Sequence, residues 1–432
     1  MSDLPVVVVG AGPAGLAAAA HLVERGRVPL VLESGNVAGA SVAQWHHVRL
    51  FSAWSEVVDT AAARLLVPTG WVHPDPAVRP SGAEWVSDYL HPLAAVLGDR
   101  VRLNSTVVGV ARRGRDRIVD SGRDTEPLVV HVRTPLGEDR IPAAAVIDAS
   151  GTWNTPNPLG TDGLPALGEL AAAERLSYRV PDLGAEEVRV RYAGRRVVVA
   201  GSGHSALTAL IGLAALAAED PATQVFWLLR RGSAAAALGG GDADQLPARG
   251  ALGLKVDQAL RSGRITPVTG FRSTAVHPAP GGHLVLESLD GRRLAVHEVI
   301  VLTGFRPDLT WMSEVRLDLD PVLQAPRALA PLIDPNVHSC GTVYPHGASE
   351  LVQPEPGLYV VGMKSYGRAT SYLSLTGYEQ VRSVVAAIDG DQESAGRVEL
   401  VLPESGVCGG AGDFDAPEVQ TQADGCCGRD GR

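Results

Sequence analysis

Short unbroken apolar runs alternate with longer alanine- and leucine-rich stretches from the start of the chain. Residues 5–9 are one Pro and four Val, which predicts a buried strand. Residues 13–25 read as a helix, with Gly26 placed to cap its end. Residues 28–33 then predict a second strand. This is a βαβ opening, and it implies a parallel sheet. Further strands are expected at residues 101–110, 128–134 and 143–149, with the polar stretch 112–126 as a hairpin loop. The pattern restarts in mid-chain: strand 196–200, helix 203–218, strand 224–230. Residues 232–241, rich in Gly and Ala, read as a mobile loop. Later strands are expected at 296–302 and 358–361, and a helix at 374–388. Beyond Gly390 the periodicity fades, and the polar, Gly-rich stretch from Cys408 to Arg432 reads as disordered unless something ties it down.

The chemistry sits where strands meet helices. Gly10-Ala11-Gly12-Pro13-Ala14-Gly15 joins the first strand to the first helix. Gly10 permits a tight turn, Gly12 lets backbone approach a pyrophosphate, and Gly15 lets helix and strand pack closely. The helix N-terminus then offers free N–H groups and a positive dipole end to the phosphates. Glu33 ends the next strand, where a carboxylate bonds ribose hydroxyls. A Gly-rich turn without a ligand accounts for neither Glu33 nor the restart downstream. The second unit carries Gly201-Ser202-Gly203-His204-Ser205-Ala206, with small Ala206 in place of the third Gly. Its second strand ends on Arg230-Arg231 instead of an acid. Two guanidinium groups suit a 2′-phosphate, so NADPH is expected here rather than NADH; a solvated basic pair is the plainer alternative.

Composition narrows the class. The 432 residues are 45% apolar and 20% charged, enough for two domains, with 49 Gly and 30 Pro spread along the chain. A net charge of −10 argues against nucleic acid and anionic membranes as partners. No leader is evident, and no apolar stretch is long enough to span a bilayer, so a cytoplasmic protein is expected, its oligomeric state open.

Two such units, the second inserted into the first, resemble the two-dinucleotide-binding flavoproteins. The resemblance implies an α/β fold of two Rossmann-like domains over residues 3–390. An FAD domain would take residues 1–165 and 336–395, an NADPH domain 166–335, and a cysteine-bearing tail 396–432. Val146-Ile147-Asp148-Ala149-Ser150-Gly151, Val299-Ile300-Val301-Leu302-Thr303-Gly304-Phe305 and Pro356-Gly357-Leu358-Tyr359-Val360-Val361-Gly362 resemble the strands that close and rejoin these domains. In many relatives an Asp after that last Gly holds the ribitol; here Met363 and Lys364 follow. Within the superfamily the chain is similar to flavin-containing monooxygenases, through the Gly201–Ala206 turn and the stretch Gln44-Trp45, Arg49-Leu50-Phe51-Ser52 and Trp54, which lies where those proteins line the flavin. Their long motif around a central His is not evident. The cofactor contacts so implied are Gly10, Gly12, Pro13, Ala14, Gly15, Glu33, Gln44, Trp45, Arg49, Ser52, Trp54, Val108, Gly151 and Gly362 for FAD, and Gly201, Gly203, His204, Ser205, Arg230 and Arg231 for NADPH. His204 also reads simply as the variable residue of its turn.

The reaction stays open at this level. NADPH reduces the flavin, which then meets an acceptor. The leading expectation is a monooxygenase that uses molecular oxygen, through a hydroperoxyflavin, on a small soft nucleophile. No catalytic triad or metal cluster is evident, and such a substrate needs no dedicated base. Related disulfide reductases carry a redox Cys pair beside the first unit or in the NADPH domain. Here Ala40-Ser41-Val42-Ala43 takes the first place, and no Cys precedes Cys340. Cys408 and the vicinal Cys426-Cys427 resemble the tails of flavin monooxygenases from bacterial arsenic-resistance clusters, which makes a trivalent arsenical the sharpest substrate expectation. The pair also resembles the metal-receiving cysteines of mercuric reductases, and with Cys340 it offers soft thiolates to a metalloid. A tail of this length reaches roughly 30 Å. So an NADPH-dependent reductase using tail thiols, and a redox-dependent metalloid binder or sensor, are the alternatives; incidental cysteines are the plain one. His46-His47 reads as a surface or packed pair, with a place near the flavin as the rival. Asn154 is a flavin contact or a turn residue before Pro156. His338 and His346 show no metal-ligand spacing with the cysteines. Tyr366, Gly367 and Arg368 are pocket candidates by location.

Overall fold

The computed structural model describes residues 4–239, 241, 247–337, 346–369 and 372–400. Two five-stranded parallel sheets organise the chain. The first pairs β1 (Val6–Val9), β2 (Pro29–Leu32), β3 (Val101–Arg102), β7 (Ala145–Asp148) and β16 (Leu358–Val360) in the order β16-β7-β1-β2-β3. The second contains β8 (Leu176–Ser177), β9 (Arg196–Ala200), β10 (Gln224–Leu228), β11 (Ile265–Val268) and β15 (Glu298–Val301), ordered β11-β10-β9-β15-β8. Every strand of the second sheet falls between β7 and β16 in sequence. One dinucleotide-type unit is therefore inserted into the other. Each unit adds a three-stranded antiparallel sheet: β4 (Thr106–Arg112), β5 (Leu128–Thr134) and β6 (Gly137–Ala143) in the first; β12 (Ser273–Ala279), β13 (His283–Ser288) and β14 (Arg293–Val296) in the second.

The local chemistry explains these elements. The four Val of β1 are all buried, because parallel strands are covered on both faces. Helix α1 (Pro13–Glu24) lies on the first sheet with Ala17 to Ala20 fully buried, small enough for close approach. Gly26 ends it in a left-handed conformation (φ 69°), with Gly26 N donating to Val23 O and Arg27 N to Leu22 O, the paired bonds of a Schellman cap. Helix α2 (His204–Glu219) plays the same part on the second sheet, and α3 (Ser374–Asp389) packs beside α1 in the first core.

Several spans depart from expectation. Residues 101–110 are two strands, not one, because Asn104 turns at φ 51° while Asn104 N and Ser105 N donate to the carbonyls of Gly35 and Glu33. The expected strand 143–149 breaks at Ala144, which separates β6 from β7. The short helices between Trp54 and Leu97, and the β12–β14 sheet, were not legible as elements. Within the Gly/Ala-rich loop, Ala235–Ala237 makes one helical turn. Among the described residues no helix is long and apolar enough to cross a membrane. Of the residues expected to form a tail, 396–400 are described; Gly396 ends a short helix (Gln392–Gly396), Arg382 bonds the Arg397 carbonyl and Glu399 N donates to Glu379 at 3.2 Å. All four cysteines and His338 lie outside the described residues.

Candidate active site

At the C-terminal edge of the first sheet a cavity of about 300 Å³ opens over the Gly10–Gly15 turn. Ligands of open α/β sheets bind at this edge. The glycines divide their work as their spacing implies. Gly10 has φ 98°, and a Cβ there would meet Ala149 O at 2.9 Å. A Cβ on Gly15 would meet Gly10 O at 1.9 Å, so helix and strand touch at that point. A Cβ on Gly12 meets nothing within 4 Å. Gly12 lines the cavity, and its bareness leaves room for a ligand rather than for protein. It also caps α1 without any side-chain acceptor, and no acid occupies the first turn. The amides there remain available to an anion.

Glu33, buried beside the turn, accepts from Ala11 N and Gly35 N at 2.7 Å each. These bonds fix the carboxylate; Oε1 also accepts from Ser34 Oγ at 3.3 Å, and Oε2 keeps a second lone pair for a hydroxyl. This geometry fits the adenosine and pyrophosphate part of FAD.

The other expected residues fall into two groups. Gly10, Gly12, Pro13, Ala14, Glu33, Gly151 and Gly362 line the cavity, as does Asn154. Gly15, Gln44, Trp45, Arg49, Ser52, Trp54 and Val108 are not among its lining residues. Gln44 stands behind the wall, its Oε1 accepting from Trp153 Nε1 at 2.9 Å. Trp45 packs on Trp85, 6.3 Å between ring centroids. Arg49 pairs with Glu84 at 3.4 Å and with the Arg79 carbonyl at the surface. Trp54 is core, and its short helix Trp54–Val57 shares that core with α1. Thr106 and Val107, not Val108, face the cavity; a bulge between Val107 and Gly109 resets the alternation.

Other lining residues had no signal in the linear pattern. Trp85, Trp311, Tyr372 and Tyr378 give the cavity aromatic walls, and Asp308 brings a carboxylate from the chain leaving the second sheet. Burial opposes ionisation of Asp308, but hydrogen bonds from Thr310 outweigh it and hold its pKa below the usual range. Lys364 is the clearest omission. Its Nζ lies 2.7 Å from Asp148, 3.1 Å from Ser150 Oγ and 4.8 Å from the Trp311 ring centroid, with both charged side chains sealed from solvent. The contact to Asp148 is an ion pair rather than a well-aligned hydrogen bond. Met363, which follows Gly362, lines the cavity, while Lys364 is not among the lining residues and has its charge balanced by Asp148. A Lys just after an apolar return strand was the available sign. Tyr366 is fully buried, and His346 bonds Gln380 at 2.7 Å inside the fold.

The second turn repeats the design. Gly201 has φ 133°, and a Cβ there would meet Leu302 O at 2.2 Å; a Cβ on Gly203 meets nothing within 4 Å. Ala206 is fully buried against the sheet, the position that demands a small residue. Gly203 caps α2, whose first turn, beginning His204-Ser205, contains no acid. Arg230 and Arg231 follow β10 at the same sheet edge. Burial lowers the Arg230 pKa, and the neighbouring Arg231 charge lowers it further. The residues present therefore fit a phosphorylated dinucleotide. The His204 ring contacts Phe51 in a tilted arrangement with centroids 4.7 Å apart, which joins this turn to the 44–54 stretch of the first unit. Trp153 stacks on Phe305 at 5.1 Å, and Arg179 lies 4.0 Å above the Trp153 ring.

Two parallel sheets, each with a glycine turn at its C-terminal edge, and the insertion of one unit into the other define the two-dinucleotide-binding flavoprotein class. Residues 7–327 match the model of the pyridine nucleotide-disulphide oxidoreductase family; the chain belongs to that family and is an FAD- and NAD(P)H-dependent oxidoreductase. Among solved structures it is similar to the bacillithiol disulfide reductase of Bacillus cereus, at 18% identity over 90% of this chain and 99% of that one (TM-score 0.63). It is also similar to an ornithine N-hydroxylase of Kutzneria sp. 744, at 17% over 90% and 99% (0.58), and to a mutant form of a flavin monooxygenase from Stenotrophomonas maltophilia, at 20% over 90% and 99% (0.56). At these identities they share its fold. Comparison with curated proteins gives no match.

Proposed function

We propose that this protein is an NADPH-dependent flavin monooxygenase, with FAD at the Gly10–Gly15 turn and NADPH at the Gly201–Ala206 turn. The observation that carries the reading is the wall of the cavity. Ala40, Ser41 and Val42 stand in it beside the flavin turn, and no cysteine precedes Cys340 along the chain. A dithiol relay has no member there. Aromatic rings line it instead, and they keep water from the reacting centre.

Bound FAD supplies the electron transfer between NADPH and oxygen. The chain's own residues bind, orient and shield. Glu33 and the bare Gly12 seat one nucleotide; the Arg230-Arg231 pair selects the 2′-phosphate of the other. The Trp153–Phe305 stack and the Phe51–His204 contact hold the two sites in register. The overall balance is substrate, NADPH, a proton and O₂ giving oxygenated substrate, NADP⁺ and water. A soft nucleophile needs no base, and the cysteine-bearing tail makes a trivalent arsenical the first substrate to try.

The test is oxygen uptake by the flavin-loaded enzyme with NADPH, with and without phenylarsenite or a thioether. Uptake that rises with substrate, one oxygenated product per O₂, is expected. The family's disulphide chemistry and Cys426-Cys427 favour a second reading, reduction through the tail thiols. Anaerobic NADPH-dependent reduction of a disulfide, abolished by Cys426→Ser and Cys427→Ser, would establish it and overturn the first.

A further inference from the structure

The neighbours His46 and His47 and the distant Asp182 meet where the two units touch. Trp45 packs into the core of the first unit. Val180 and Leu183 pack into the core of the second. One ligand atom from each of the three residues falls within 4.8 Å of the others, and among the described residues they are the one such group of three. His46 Nε2 is 3.3 Å from Asp182 Oδ2. His46 Nδ1 lies 3.3 Å from the carbonyl of Ala43, which can only accept. Nδ1 therefore carries the proton, and in a neutral ring Nε2 turns a lone pair toward the carboxylate. Two lone pairs facing at this distance need a cation between them, a proton or a metal.

His47 makes the same demand independently. Both of its ring nitrogens are sealed from solvent, and neither makes a hydrogen bond of ordinary geometry, although the carbonyls of Val180 and Pro181 lie nearby. Ring nitrogens closed off from solvent without a well-aligned hydrogen bond call for a partner.

We propose that His46, His47 and Asp182 form a site for a divalent ion of the zinc class that bridges the two nucleotide-binding units. Two imidazoles and a carboxylate suit such an ion, and a fourth position is left for water. Tetrahedral bonds of about 2.0–2.1 Å separate ligand atoms by roughly 3.4 Å. The His46–Asp182 spacing already matches. The remaining gap closes by side-chain rotation, since the His46 side chain is 54% exposed and that of Asp182 28%. The Ala43 carbonyl is the outer partner that orients a ligating His. A bound ion would tie segment 44–47 of the first unit to the loop after β8 of the second.

The test is calorimetric titration of the flavin-loaded full chain with Zn²⁺ after chelator treatment. The four cysteines also bind zinc, so the reference is the protein with Cys340, Cys408, Cys426 and Cys427 all changed to Ser. One zinc equivalent is expected to persist in it. Adding His46→Ala or Asp182→Asn should weaken that equivalent at least tenfold while the flavin absorbance spectrum stays unchanged. Zn²⁺, but not Mg²⁺, should raise the reference protein's melting temperature. The proposal is overturned if the reference binds no zinc, or if His46→Ala and Asp182→Asn bind it as tightly.

Discussion

Gly12 and Gly15 stand three residues apart in one turn and meet very different surroundings. A methyl group at Gly15 collides with the Gly10 carbonyl; at Gly12 it enters open space where a pyrophosphate would lie. Gly15→Ala should therefore destabilise the apoprotein, by about 1–3 kcal/mol for an overpacked contact. Gly12→Ala alters only a helix cap and should cost about 1 kcal/mol or less. Its penalty should appear instead as flavin affinity reduced by about tenfold or more. Denaturation of the flavin-free protein and FAD titration of each variant separate the two. Equal FAD affinity in Gly12→Ala and the parent would remove this turn from the flavin site. Lys364 shows the opposite kind of residue. Its meaning depends on Asp148, which lies 2.7 Å away and is distant in sequence, and no reading of Met363-Lys364 alone supplies that partner.

At the scale of elements, the two βαβ units were legible because their signals are local. A β-branched run, a glycine turn and an alanine-rich helix follow one another directly along the chain, and neighbouring residues decide all three. The same turns differ in what ends the second strand, Glu33 in one unit and Arg230-Arg231 in the other. Arg230→Gln with Arg231→Gln should raise the KM for NADPH about 10- to 100-fold, the loss of one or two charge-assisted contacts. The KM for NADH should hardly move. Steady-state kinetics with both nucleotides decides this, and a parallel rise for NADH would show that the pair acts on folding rather than on the 2′-phosphate. The short helices between Trp54 and Leu97 were not legible, because several are single turns that depend on tertiary packing. The Trp85 ring, for example, donates across the fold to the Val57 carbonyl at 3.0 Å.

Over the whole molecule, one buried network ties the returning chain to the first unit. Glu355 is fully buried and accepts from Arg112 at 2.7 and 2.9 Å and from Arg123. Burial pushes its pKa up, but the bonds from Arg123 and Arg112 outweigh that and hold it below the usual carboxylate range. A carboxyl depressed on folding stabilises above its unfolded pKa, about 4.3, and loses that contribution as pH falls through the folded value. Denaturant unfolding should thus show stability falling below about pH 4. Glu355→Gln should lower stability at pH 7 by about 3–5 kcal/mol, since it leaves two buried guanidinium groups without their counter-charge. It should also flatten the acid limb. An acid limb as steep in the variant as in the parent would place the dependence on other carboxylates.

The sequence by itself determined that there are two nucleotide turns, which one ends in an acid and which in a basic pair, and that no cysteine stands beside the first. Each of these is a matter of neighbours along the chain. The tertiary structure alone decided what encloses the cleft and what joins the units. Trp85, the Asp308–Trp311 segment and Tyr372 reach one cavity from three separate parts of the chain, Lys364 finds Asp148, and His46 and His47 find Asp182. Such meetings depend on how sheets and loops pack in three dimensions, and linear periodicity carries no measure of those distances.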